Sequence, residues 1–168
     1  MLNPKYWGGL ALTLWLAVPA TAQEQLTMET LKNADYVAGK NAFAMRCSAC
    51  HTLADRGANL TGPNLWGVFD RQVGTLDAYE NFSDALKAAD FVWTPDTLNA
   101  WLADPRGFLE GNEMAIPEAV PENERAPIIS FLMIETGADD WPVPENLPTP
   151  LPTRRSPPPS ASPASGIT

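Results

Sequence analysis

The chain has 168 residues, enough for one domain of ordinary size, and its 20 acidic and 11 basic side chains give a formal net charge of −9. That charge excludes nucleic acid as a partner, because binding phosphates requires clustered lysine and arginine. Anionic membrane surfaces would also repel such a chain. We therefore expect protein partners that are basic or neutral where they make contact.

The first 22 residues predict an export signal. Lys5 supplies a short positive segment, residues 7–18 form an apolar run, and Ala20-Thr21-Ala22 fits a cleavage site. The run is shorter than the ~20 residues that span a bilayer. We predict cleavage after Ala22 and a periplasmic mature protein without stable membrane insertion. The alternative is an uncleaved anchor.

A helix is predicted over residues 34–46, directly before the most informative motif of the chain. Val37 and Phe43 give this segment an apolar side. Gly39 lies in its interior, where glycine costs roughly 1 kcal/mol relative to alanine. A close crossing with another helix would justify that cost.

The motif Cys47-Ser48-Ala49-Cys50-His51 has the C-x-x-C-H spacing that attaches a c-type haem. It contains both cysteines and the only histidine of the chain. Thiols at this spacing can form thioethers with the vinyl groups of one porphyrin, and the following imidazole can then bind iron. A structural zinc site needs four ligands, and only three are present. A redox-active cysteine pair and a structural disulfide remain as alternatives.

Beyond the motif the sequence predicts loops followed by short helices. Residues 52–80 are rich in turn formers, and residues 83–89 predict a helical turn. Thr94-Pro95-Asp96 has the residues of a helix start, and Asp104-Pro105 ends that helix.

The last predicted helix runs from about residue 122 to 136, with Pro127 near its first turn and Gly137 at its end. No alternating strand pattern and no internal repeat is visible, so we predict an all-α domain over residues 23–138. Residues 139–168 are dominated by proline and serine and predict a disordered or polyproline-like tail. A tether or docking tail is the alternative there.

A haem iron bound by one histidine needs a sixth ligand, and methionine sulfur is the available donor. The candidates are Met1, Met28, Met45, Met114 and Met133. Met114 lies in a loop between two predicted helices, from which a thioether can reach the distal face. Ligation by His51 and Met114 fills both axial positions and favours one-electron transfer over catalysis. A haem subunit or enzyme working with a periplasmic dehydrogenase is the alternative.

With these motifs, residues 34–136 resemble class I cytochrome c, of the small bacterial kind similar to mitochondrial cytochrome c and cytochrome c2. Gly39 and Phe43 match the glycine and the aromatic residue of the family's N-terminal helix. Phe131 stands in the C-terminal helix, at the point where the N-terminal helix crosses it. The stretch 61–65, TGPNL, matches a loop whose proline carbonyl accepts a hydrogen bond from the haem-ligating histidine. The resemblance implies helices and loops around one covalent haem, an electron carrier between redox proteins, and Pro63 as the partner of His51.

The resemblance also implies residues around the haem propionates. Arg71, followed by Gly74 and Tyr79, resembles the region that lines them, and Trp93 resembles a tryptophan that donates to one. Asn112 stands where threonine is frequent, and its amide can also donate to a propionate.

Besides Asn112, three positions depart from the family pattern. Trp101 replaces a tyrosine near the methionine sulfur, and Phe82 lacks a hydroxyl that often binds a propionate. Glu113 flanks Met114 where a lysine is usual, with Glu110 nearby. We therefore predict that the rates of electron transfer with partners that select lysine-rich cytochromes depend only weakly on salt, or depend on it in the reversed sense.

Overall fold

The structure, a computed structural model, describes residues 26–114, 116 and 118–138. The predicted export signal and the proline-rich tail lie outside the described residues. Within them the chain forms six helices and no strand, with one isolated antiparallel bridge between Gln72 and Val92. The helices are α1 (Met28–Lys32), α2 (Tyr36–Arg46), α3 (Asp84–Ala88), α4 (Pro95–Ala103), α5 (Pro105–Phe108) and α6 (Glu122–Glu135). The predicted all-α fold is confirmed.

The two longest helices, α2 and α6, pack against each other and form the main core contact. Asp35 caps α2, because its carboxylate accepts hydrogen bonds from the backbone N–H groups of Val37 and Ala38. Phe43 packs on Phe131 with ring centroids 5.6 Å apart. The helices cross at Gly39, which confirms the close approach expected from a glycine inside a helix. This crossing holds the end of α2, and so the start of the cysteine motif, against α6.

Helix α6 continues past an internal proline. Pro127 lies inside the helix, in its second turn rather than near the first, and the helix continues to Glu135. Every residue from Ile128 to Met133 is buried, so packing holds this segment in place. Gly137 takes a left-handed conformation with φ of +81°, as expected for a residue that ends a helix.

The helix start at Thr94 is confirmed. The Thr94 hydroxyl accepts a hydrogen bond from the Thr97 backbone N–H, and the Thr97 hydroxyl accepts one from the Thr94 backbone N–H, so the two residues form a capping box. Pro95 occupies the first turn. Asp104 ends α4 and also caps α5, since its carboxylate accepts from the Gly107 N–H at 2.9 Å. The sequence predicted the stop but not the second short helix.

Helix α1 was not predicted from the sequence, because five residues are too few for a periodic pattern. Tertiary contacts hold it: Leu31 is buried, and the Ser130 hydroxyl of α6 donates to the Leu31 carbonyl at 3.1 Å. No helix in the described ranges has both the length and the apolar character needed to cross a membrane.

Candidate haem site

A cavity of about 500 Å³, partly open to solvent, is bordered by α2, α4, α6 and the loops between them. Its volume lies in the range of roughly 300–1,000 Å³ that cofactor sites occupy. Most of its wall is apolar, including Phe43, Leu98 and Ile128. It is bordered by all but one of the site residues predicted from the sequence: Cys47, Cys50, His51, Pro63, Arg71, Tyr79, Trp93 and Met114.

His51 lies on the wall of this cavity in a defined orientation. Its Nδ1 is 2.7 Å from the Pro63 carbonyl oxygen, so Nδ1–H donates and Nε2 keeps a free lone pair. Burial lowers the pKa of His51, against the effect of the Pro63 hydrogen bond, and favours the neutral imidazole that binds metals.

Gly62 is needed for this placement of the imidazole, and sequence reasoning did not single it out. A Cβ at Gly62 would lie 2.4 Å from His51 Cε1 and 2.8 Å from Nδ1. Any side chain there would displace the ring. The signal was present in the sequence, because this glycine precedes the proline of the TGPNL stretch.

Cys47 and Cys50 are both free thiols on the cavity wall, with no disulfide between them. Burial raises the pKa of the Cys47 thiol to about 11, so a thiolate is disfavoured there. An uncharged thioether suits this position better. In the part of the chain that the structure describes, no three His, Cys, Asp or Glu side chains converge in the way a metal ion requires. The two cysteines and His51 therefore do not form one ligand cluster.

Met114 borders the same cavity as His51. The Trp101 indole Nε1–H donates a hydrogen bond to Met114 Sδ, with 3.2 Å between the two atoms. Trp101 has no hydroxyl like that of the tyrosine it replaces, but its indole N–H provides a donor to the sulfur. Met45 is 75% exposed and Met133 is buried in the core, and neither borders the cavity.

Asn112 does not border the cavity, unlike the other predicted site residues. Its amide nitrogen donates to the Pro105 carbonyl at 2.6 Å and the Leu109 carbonyl at 2.7 Å, while its oxygen accepts from the Met114 N–H. Both amide hydrogens are used within the loop. Asn112 thus holds the loop that carries Met114, and its propionate contact, which the resemblance implies, stays a prediction.

The other predicted propionate residues lie on the cavity wall. Arg71 is half-buried, and its desolvation lowers the pKa of the guanidinium. Its hydrogen bond to the Asn64 carbonyl is long, at 3.4 Å. A desolvated cation with so weak a partner suits an anionic group in the cavity, such as a haem carboxylate. The backbone N–H of Trp93 donates to the Arg71 carbonyl at 3.0 Å, so the two residues are held side by side.

Tyr79 and Glu113 lie at the rim of the cavity. The Tyr79 hydroxyl donates to the Thr61 carbonyl at 2.6 Å, so its hydrogen is directed to the backbone. Burial raises the pKa of Tyr79, and the negative charge of Glu113 raises it further. Glu113 is exposed, and it brings a negative charge to the rim.

The fold and the cavity together define a helical protein whose apolar cavity is bordered by two cysteines, one histidine and one methionine. A sequence model of the family "Cytochrome c" matches residues 36–133, from the start of α2 into α6. The chain belongs to the cytochrome c family, and it is accordingly a haem c protein that carries electrons and is not an enzyme.

Proteins named cytochrome c from several kingdoms are similar to this chain. Cytochrome c of Stellaria longipes is 36% identical over 105 residues, covering 62% of this chain and 96% of the relative. A cytochrome c homolog of Bradyrhizobium diazoefficiens is 41% identical over 91 residues, covering 54% and 50%. Cytochrome c 2.1 of Caenorhabditis elegans is 34% identical over 109 residues, covering 65% and 96%.

Proposed function

We propose that this protein is a soluble periplasmic carrier of single electrons with one haem c. Cys47 and Cys50 anchor the haem, and His51 and Met114 ligate its iron. The observation that carries the proposal is that these four side chains border one cavity of suitable size, although Met114 lies more than 60 residues along the chain from the motif. When bound, the haem would supply a ferrous–ferric couple that takes up and releases one electron.

The surrounding residues orient the ligands and the propionates. Pro63 holds His51 through Nδ1, which leaves Nε2 for the metal and makes the imidazole a stronger donor. Arg71, Tyr79 and Trp93 border the cavity, where they would line the propionates. Asn112 contributes by folding the loop that carries Met114. If His51 and Met114 both held the iron, a substrate would have to displace one of them to reach it.

Ligation is tested by an optical redox titration of the purified holoprotein together with the sulfur-to-iron charge-transfer band of its oxidised form. We expect one haem per chain, and a band that disappears in Met114→Ala but persists in Met45→Ala. Met45 is the matched control because it is exposed. A band that survives Met114→Ala would refute the assignment.

Only the sequence of residues 1–22 supports export, because these residues lie outside the part of the chain that the structure describes. Intact-mass measurement of the exported protein tests it. We expect a mature chain that begins at Gln23, and retention of residues 1–22 would contradict the cleavage.

The partners are a redox protein donor and acceptor that are basic or neutral at the contact. Glu113 is exposed at the cavity rim, and Glu110 is exposed nearby in sequence. Arg46, which also borders the cavity, is paired with Glu124 at 2.7 Å. Electron-transfer rates with an acidic partner that selects lysine-rich cytochromes should not rise at low salt. A strong low-salt enhancement would contradict this expectation.

A further inference from the structure

We propose that Trp101 is a positioning residue for the Met114 thioether and that its indole N–H favours the ferrous state of the haem. The proposal rests on the proposed function, in which Met114 is the sixth ligand of the iron. It goes further by giving a role to a residue that the family pattern does not supply, since tyrosine is common at this position.

The geometry fixes the indole as a donor to the sulfur. Trp101 is only 4% exposed, and its Nε1 lies 3.2 Å from Met114 Sδ. Trp93 and Phe108 hold the ring edge to face, with centroids 5.3 and 5.9 Å from that of Trp101. The ring therefore has little freedom to turn its N–H elsewhere.

The backbone of Met114 is held independently of its side chain. Its N–H donates to Asn112 Oδ1 at 3.1 Å, and the Asn112 amide is bound in turn to the carbonyls of Pro105 and Leu109. Trp101 lies in α4 and Pro105 begins α5, so the residues that hold the sulfur and the backbone of Met114 belong to two consecutive helices. Met114 is thus fixed at its backbone and at its sulfur.

The chemical consequence follows from the direction of the hydrogen bond. An N–H that points at a thioether draws electron density from sulfur, which weakens its donation to iron. Ferric iron depends on that donation more than ferrous iron does, so the hydrogen bond favours the reduced state. In a dry site the effect is stronger than in water. An indole N–H donates only and does not titrate in the ordinary pH range, so the effect is independent of pH.

The test compares holoprotein variants by redox titration and by the sulfur-to-iron band. Trp101→Phe keeps an aromatic ring but removes the donor. We expect its ferrous-to-ferric ratio at a fixed applied potential to fall by up to about fivefold, the limit set by one typical hydrogen bond. Trp66→Phe makes the same change at an indole that is 37% exposed and does not border the cavity, and its ratio should stay near that of the wild type. Equal ratios in wild type and Trp101→Phe would overturn the proposal.

A measurement on the wild type covers the case in which Trp101→Phe does not fold. In the diamagnetic ferrous holoprotein we expect a nuclear Overhauser effect between the Trp101 indole N–H and the Met114 methyl group. The Trp101 N–H should also exchange with solvent more slowly than that of Trp66, which is 37% exposed. Absence of the Overhauser effect, with exchange as fast as at Trp66, would overturn the proposal. Absence of the sulfur-to-iron band in the wild type would instead refute the ligation by Met114.

Discussion

Gly39 of α2 lies directly against the Pro127 carbonyl of α6. A Cβ at Gly39 would stand 2.0 Å from the Pro127 oxygen and 2.9 Å from the Phe131 Cβ. Neither neighbour is the end of a flexible side chain, so neither could move aside without shifting a helix. The contact sets how α2 lies on α6, and thereby where Cys47 enters the cavity.

Gly39→Ala is expected to destabilise the holoprotein by about 1–3 kcal/mol, because the added methyl group overpacks the crossing. The loss should occur even though alanine forms helix better than glycine. Urea unfolding of the holoprotein measures it. Lys40→Ala is the matched control: Lys40 is exposed in the same helix, so its replacement should change the free energy of unfolding by less than about 0.5 kcal/mol. A Gly39→Ala protein as stable as the wild type would contradict the close contact.

Gly62→Ala is expected to disturb the histidine ligand. Its Cβ would lie within 2.4 Å of His51 Cε1, so the ring must turn away from the Pro63 carbonyl. The optical spectrum should show reduced low-spin character. Gly67→Ala is the control, because Gly67 has φ of +61° and open space around it. That change should cost about 1–2 kcal/mol of backbone strain and leave the spectrum unaltered. Identical spectra for all three proteins would refute this role for Gly62.

Tyr36 is expected to make stability fall at alkaline pH. Its hydroxyl donates to Glu135 Oε1 at 2.5 Å, and burial, followed by this bond, raises the pKa of Tyr36 well above its usual value of 10.0. The folded state therefore keeps a proton that the unfolded state releases, and this contribution is full below pH 10 and declines above it. Urea unfolding between pH 8 and 11.5 should show the advantage of the wild type over Tyr36→Phe shrinking as pH rises. A constant difference would contradict the expectation.

The ion pair between Arg46 and Glu124 is expected to contribute little stability. Nε lies 2.7 Å from Oε2, but the side chains are 27% and 29% exposed and screened by water. Glu124→Gln should lower the free energy of unfolding by less than about 1 kcal/mol, and high salt should reduce the difference. Glu122→Gln, exposed in the first turn of the same helix, controls for loss of charge at the helix end. A larger loss that does not depend on salt would contradict this.

Local features of the fold could be predicted because local residues cause them. The helix start at Thr94 depends on a hydroxyl, a proline and an acid within three residues, and the stop at Asp104-Pro105 is equally local. Helix α1 could not be predicted, because burial of Leu31 against α6 stabilises it. The second-turn position of Pro127 was missed for the same reason, since packing on both sides outweighs the missing hydrogen bond.

The sequence by itself was enough to predict the haem chemistry of this protein. Both cysteines and the one histidine of the chain stand in a single C-x-x-C-H motif, which predicts covalent attachment and proximal ligation without any knowledge of packing. Only the tertiary structure decided how Met114 is held. The indole of Trp101 reaches its sulfur, and Asn112 turns its amide to the loop rather than to the cavity. These contacts depend on how α4, α5 and the following loop pack together. A local sequence pattern cannot predict such packing, because it arises between residues that are distant in the chain.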